Sequence, residues 1–257
     1  MRALLPNCAM TPAAEPDRFF GGRLTLHQPP RGAHRAGTDA VLLARWIAPE
    51  PGETVADLGA ATGAVGLTVA HLVPECRAVL VERDPALAAL ARENVVANSL
   101  DGRVSVIEAD LLASGAARRA AGLVPDSADL VLTNPPFFAG PGHRPSPDAG
   151  RAAAHAFAAE DGLEAWMRAC ADLARPGGRI GLIHRADALP ACLDALKGRF
   201  GDCAVRPVHA RADRPAIRVL IAGRKGSRAP FRLLPPLVLQ EADGRFTPEA
   251  AALHGRI

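Results

Sequence analysis

The chain has 257 residues, of which 49% are hydrophobic and 22% charged, enough to bury one substantial core. Its net charge of +3 permits contact with nucleic acid without requiring it, so the distribution of charge matters more than its sum. No apolar run approaches the roughly 20 residues needed to cross a bilayer, and the first ten residues lack an h-region and cleavage site, so a cytoplasmic protein is expected.

Residues 1–20 are broken by prolines and show no period, and they read as a loosely ordered lead-in. Residues 21–257 read as a single domain with an N-terminal hairpin and helix and C-terminal β additions. Gly22–Gln28 alternates apolar and polar residues as a half-exposed strand does, until Pro29-Pro30 stops it. Thr38 or Asp39 is placed to cap a helix that carries Val41, Leu42, Ala44, Trp46 and Ile47 and stops at Pro49.

From there the pattern is regular. Short apolar runs predict strands at Thr54–Leu58, Ala78–Glu82, Val104–Glu108, Leu130–Thr133 and Arg179–His184, and two more follow at Ala204–His209 and Ile217–Ala222. Helical stretches fall at Val65–Leu72, Pro85–Asn98 and Leu163–Ala174, the last closed by Pro176-Gly177-Gly178. The alternation predicts an α/β protein with a parallel, doubly wound sheet. Ala139–Gly150, rich in glycine and proline, reads as a loop. The five cysteines (Cys8, Cys76, Cys170, Cys192 and Cys203) are dispersed, odd in number and without a C-x-x-C pair, so neither disulfides nor zinc is expected. The eight histidines show no metal-binding spacing, and no metal is expected.

Two segments carry chemistry. In Asp57-Leu58-Gly59-Ala60-Ala61-Thr62-Gly63, small residues stand where the first core strand turns into a helix, which lets a ligand approach the backbone. The spacing is not the G-x-G-x-x-G of dinucleotide-binding proteins. Glu82 closes the second core strand, where a carboxylate can hold the two donors of a ribose diol; the bland alternative is a solvated strand-end acid. Asp110 follows the third strand and is compatible with a helix N-cap.

The second segment is Asn134-Pro135-Pro136-Phe137, at the carboxyl end of the fourth strand, where open α/β sheets bind ligands. An amino group conjugated to a ring or carbonyl has a lone pair that is mostly delocalised, so a site that turns its nitrogen into a nucleophile needs paired acceptors. The Asn134 side-chain oxygen and the Pro135 carbonyl can each accept one N–H and draw that nitrogen toward tetrahedral geometry, while proline stiffness holds the acceptors in register and Phe137 offers a stacking face. A plain strand-terminating turn is the alternative for the tetrapeptide alone.

The glycine-rich segment resembles the first motif of class I S-adenosylmethionine-dependent methyltransferases, D/E-x-G-x-G-x-G, with Asp57, Gly59 and Gly63 in place and Ala61 for the central glycine. The tetrapeptide resembles the N/D-P-P-F/Y/W motif of N-methyltransferases, which act on adenine N6, cytosine N4, guanine N2 or glutamine N5. The flanks are similar to the bacterial tRNA adenine-N6 methyltransferases that modify the purine 3′ of the anticodon in a valine tRNA. They include Gly21-Gly22-Arg23-Leu24, Arg35–Ala44, Pro176–Arg179, Val208–Ala216 and Pro235–Leu239.

That resemblance implies a Rossmann-like fold with a seven-stranded, mostly parallel sheet, the last strand antiparallel, and helices on both faces. It implies S-adenosyl-L-methionine as cofactor, held by Arg35, Gly37, Asp39, Asp57, Gly59, Ala61, Gly63, Glu82, Arg83, Asp110, Leu111 and Asn134, with Asn134, Pro135, Pro136 and Phe137 as the catalytic set. It also implies an RNA substrate, a tRNA, presenting an unpaired or flipped adenine. The alternatives are an rRNA guanine-N2 or protein glutamine-N5 methyltransferase, or an RNA-binding protein without turnover. Between residues 197 and 232 ten lysines and arginines face only Asp202 and Asp213, an excess that can hold phosphates or form an arginine-rich solvated surface. Arg144 and Arg151 are candidates to guide the RNA strand.

Overall fold

The computed structural model describes residues 15–30, 35–136 and 162–255. Phe137, Arg144, Arg151 and the Ala139–Gly150 loop lie outside the described residues, as do residues 1–14 of the expected lead-in. Strand β1 (Asp17–Phe19) pairs antiparallel with β2 (Leu24–Leu26) as a separate hairpin, and helix α1 (Thr38–Trp46) follows. Asp17–Phe19 thus forms a strand within the stretch read as lead-in, because Phe19 and Phe20 are buried. Gly37, not Thr38 or Asp39, takes the N-cap position of α1, without a side-chain cap.

The central sheet begins in its middle. Strand β3 (Thr54–Leu58) leads through α2 (Ala64–Leu72) to β4 (Arg77–Glu82), then through α3 (Pro85–Ala97) to β5 (Val104–Glu108). The chain then returns through α4 (Gly115–Ala120) to β6 (Ala128–Thr133) on the other side of β3, and continues through α5 (Gly162–Leu173) to β7 (Ala174–Arg185). Helix α6 (Leu189–Leu196), β8 (Phe200–Arg211), β9 (Ala216–Lys225), the short β10 (Arg232–Leu233) and β11 (Leu237–Gln240), and α7 (Pro248–Leu253) complete it.

The order is β10-β8-β9-β7-β6-β3-β4-β5, with β11 also on β8. Pairings from β5 to β7 are parallel; β9, the last of the seven expected strands, runs antiparallel between β7 and β8. Two short parallel additions, β10 and β11, extend the expected seven strands to nine among the described residues. Arg175–Gly178 belongs to β7 rather than to a helix end, and the ladder shifts register there between Ala128 and Leu130.

Each sheet face has its own core. One joins Leu130, Leu132 and Ile183 to α1, α2, α3, the hairpin and α7; the other joins Leu58, Val131, Ile180 and Leu182 to α5 and α6 through Trp166, Met167, Cys170 and Cys192. Burial pushes the Cys192 thiol up to about 12 and raises that of Cys170, as inert core thiols require. No helix among the described residues is long and apolar enough to cross a membrane.

Candidate active site

Because the chain passes from β3 to β4 on one side and returns from β5 to β6 on the other, a crevice opens beyond the carboxyl ends of β3 and β6. Leu58 pairs with both Val81 and Thr133, so Glu82, Gly59 and Asn134 fall in one row across three neighbouring strands, about 10 Å from end to end. Sequence segments read separately are brought together here.

The glycine-rich turn is anchored by backbone and side chains. Gly59 and Ala60 N–H groups donate to Val81 O at 2.9 and 3.0 Å, and Gly63 N–H donates to Ala60 O at 2.7 Å. Gly59 and Gly63 have φ of +74° and +86°, and a Cβ at Gly59 would lie 2.9 Å from the Trp166 ring, so both conformation and space require glycine. Ala61, at φ +48°, also occupies the left-handed region, which costs a non-glycine residue about 1–2 kcal/mol. The replaced glycine therefore leaves strain as well as an extra methyl group.

Glu82 is buried and accepts from Ala61 N–H at 2.9 Å and from Arg83 and Asp84 N–H at 2.8 Å each. A carboxylate offers about four lone-pair sites, so capacity remains for a ligand hydroxyl. Asp57 is buried too; it accepts Gly66 N–H at 2.9 Å and ties β3 to the first turn of α2. Burial pushes its carboxyl up to about 7, an effect opposed by the Gly66 hydrogen bond and reinforced by the Glu82 charge. Thr62 Oγ1 is buried without a hydrogen-bond partner among the described residues, a polar atom that a ligand in the turn can satisfy. The residues present thus fit a cofactor with hydroxyl and amino groups. Among the described residues no group of three side chains is arranged to hold a metal.

The remaining expected cofactor residues flank this row. Arg83 and Asp110 are exposed; Asp110 accepts Leu112 N–H at 2.9 Å in a local turn, while Leu111 packs with Leu58, Val81 and Trp166. Arg35 pairs with Asp17 and donates to Pro29 O. Asp39 pairs with Arg218 on β9 at 2.9 Å, which pins the start of α1, and Gly37 before it, to the sheet end where the crevice lies.

On the acceptor side, Thr133 Oγ1 donates to Leu58 O at 2.8 Å and accepts Trp166 Nε1–H at 2.9 Å, clamping the ends of β3 and β6. Pro135 is buried and Asn134 half-buried. Neither Thr133 nor Trp166 was singled out from sequence; a lone tryptophan in an amphipathic helix was the available signal.

Much of the basic 197–232 segment is paired, partly with its own Asp202 and Asp213 and partly with acids elsewhere in the chain. Arg199 pairs with Glu164, Arg206 with Glu249, Arg211 and Arg214 with Asp213, Arg218 with Asp39, Lys225 with Asp126 and Arg232 with Asp202. It is also split by the fold. The β8–β9 turn, with Arg211 and Arg214, lies at the crevice end of the sheet, and Arg224, Lys225 and Arg228 lie at the opposite end.

The family model described as the methyltransferase small domain matches residues 34–157. A tRNA1(Val) (adenine(37)-N6)-methyltransferase of Porphyromonas gingivalis is 30% identical over 233 residues, 86% of this chain and 87% of that protein. One from Aeromonas hydrophila is 31% identical over 222 residues, 84% of this chain and 87% of that one. Among solved structures, a predicted O-methyltransferase of Agrobacterium tumefaciens aligns with a TM-score of 0.70 and 30% identity, covering 85% of this chain and 96% of that one. With the class I fold, the glycine-rich turn and the Asn-Pro-Pro turn assembled at one switch point, the chain belongs to the family of the tRNA1(Val) (adenine(37)-N6)-methyltransferases and is an S-adenosylmethionine-dependent methyltransferase.

Proposed function

We propose that this protein transfers a methyl group to the exocyclic N6 of an unpaired adenine in tRNA, next to the anticodon. The observation that carries this reading is the placement of Asn134-Pro135-Pro136 directly beside the glycine-rich turn at the crevice between β3 and β6. The names of the relatives, all tRNA adenine-N6 enzymes in the two sequence comparisons above, support the same substrate.

S-adenosylmethionine supplies an electrophilic methyl group on a sulfonium. In the chain itself, Glu82 and the Gly59–Gly63 backbone hold the cofactor, with Arg35, Gly37, Asp39, Asp57, Ala61, Arg83, Asp110 and Leu111 forming or supporting the surrounding wall. Asn134 Oδ1 and the Pro135 carbonyl accept the two N6–H groups and localise the nitrogen lone pair; Pro136 stiffens the turn and Phe137 stacks on the base, an interaction worth about 1–3 kcal/mol. No strong base is needed, because the nitrogen sheds its proton once the methyl bond forms. Extruding the adenine costs a few kcal/mol, least where it is already unpaired.

The test is to incubate the protein and labelled cofactor with separate tRNA, rRNA and protein fractions. Label is expected in tRNA. Label confined to rRNA or to protein would overturn the substrate and favour guanine-N2 or glutamine-N5 chemistry; cofactor binding without label in any fraction would favour an RNA-binding protein.

A further inference from the structure

Helix α3 is alanine-rich, yet it carries Asn94 on its inner face, and a second asparagine, Asn98, stands one turn on at its C-cap. Asn94 is fully buried. A buried amide is costly unless its donors and acceptor are used. Asn94 Oδ1 accepts His27 N–H at 2.6 Å, and its Nδ2 donates to His27 O and to Thr62 O, both at 2.9 Å. Asn98 treats Thr25 the same way: Oδ1 accepts Thr25 N–H at 2.9 Å and Nδ2 donates to Thr25 O at 2.7 Å. Alternate residues along and just beyond β2 therefore pair with helix side chains as they would with another strand.

The two asparagines differ in their remaining bond. The other Asn98 contact goes to Asn94 O within its own helix, at 2.7 Å, whereas that of Asn94 reaches the carbonyl of Thr62 in the glycine-rich turn. Ala61, the strained residue, is thus bracketed. Glu82 holds its N–H on one side and Asn94 holds the next carbonyl on the other. The same network continues from His27 to its neighbour Gln28, whose Oε1 accepts Ala36 N–H at 2.7 Å just before α1.

We propose that Asn94 is a positioning residue for the cofactor turn: it keeps Ala61 in its left-handed conformation and sets the N-terminal segment in register with that turn. The inference rests on the turn being the seat of the cofactor. Without Asn94, Ala61 has reason to relax toward ordinary backbone angles; with glycine at position 61 that incentive disappears.

The test compares Asn94→Ala, Asn98→Ala and the double variant Ala61→Gly/Asn94→Ala by calorimetric titration with S-adenosylmethionine, alongside thermal unfolding and turnover. Asn94→Ala is expected to raise the cofactor Kd at least about ten-fold with kcat at saturation changed less than about three-fold, the loss of a single hydrogen bond to a strained turn. Asn98→Ala is expected to lower stability to a similar degree with Kd within about two-fold, and Ala61→Gly should restore most of the affinity lost in Asn94→Ala. Equal effects of the two asparagines on Kd, or no rescue by Ala61→Gly, would overturn the proposal. If Asn94→Ala does not fold, the double variant decides: recovery of folding and binding supports the role, and failure overturns it. Absence of affinity in the wild-type protein would instead remove the cofactor reading beneath it.

Discussion

The turn after β3 and the turn after β6 lie side by side at one level of the sheet, yet they are held by different means. The first is enclosed by side chains from three other elements: Glu82 at the end of β4, Asn94 on α3 and Trp166 on α5. The second is held from below by Thr133 and stiffened by Pro135 and Pro136, and among the described residues the Asn134 amide makes no hydrogen bond. The difference fits the roles proposed for the two turns. On that proposal, the half assigned to the cofactor is built in advance, and the half assigned to the nucleic acid leaves its acceptors open to the incoming amine.

Trp166 lies against Gly59 in one half and donates to Thr133 in the other, so its loss should have the largest effect. Trp166→Ala removes a buried ring and the donor to Thr133, and should destabilise the protein by about 3–5 kcal/mol, measured by urea unfolding. A loss below about 1 kcal/mol would mean that the two turns do not depend on that ring.

Asp57 separates the halves through pH. Its folded carboxyl titrates at about 7, above the ordinary value near 4, so the native state keeps a proton that the unfolded chain has released across that interval. Stability therefore falls as pH rises from about 4 to 7, on the order of 4 kcal/mol from this group, and levels off above. In Asp57→Asn that contribution disappears, and unfolding titrations between pH 4 and 7 should show a correspondingly smaller decline. Identical slopes in the two proteins would contradict the assignment.

Asn134→Ala addresses the acceptor half alone. It should lower kcat about 100- to 1000-fold, the range seen when one transition-state hydrogen-bond partner is removed, with cofactor Kd nearly unchanged. A matched loss of cofactor affinity would erase the division between halves. The smallest effect belongs to Ala61→Gly, which relieves left-handed strain but frees the unfolded chain, for a net gain of no more than about 1 kcal/mol in thermal unfolding.

Much of this division was legible in the sequence. The apolar runs placed the seven main strands, because buried parallel strands carry continuous Val, Leu and Ala that no loop needs. Short elements escaped: α4, α7, β10 and β11 span two to six residues, too few for a period to accumulate. The motif residues Asp57, Gly59, Gly63, Glu82 and Asn134 announced themselves through spacing, and the register joins Glu82, Gly59 and Asn134 in one row. What holds them did not. Asn94, Thr133 and Trp166 act across 32 to 75 positions of chain, beyond any local pattern. The pairing of the basic segment was hidden for the same reason, since Glu249, Glu164 and Asp126 reach it from elsewhere in the sequence.

The most direct measurement of the central claim is the identity of the methylated atom. tRNA lacking the modification, labelled by the wild-type protein and by Asn134→Ala and digested to nucleosides, should yield N6-methyladenosine with the first and almost none with the second. Methyl label on guanine N2, or equal N6-methyladenosine from both proteins, would contradict the account.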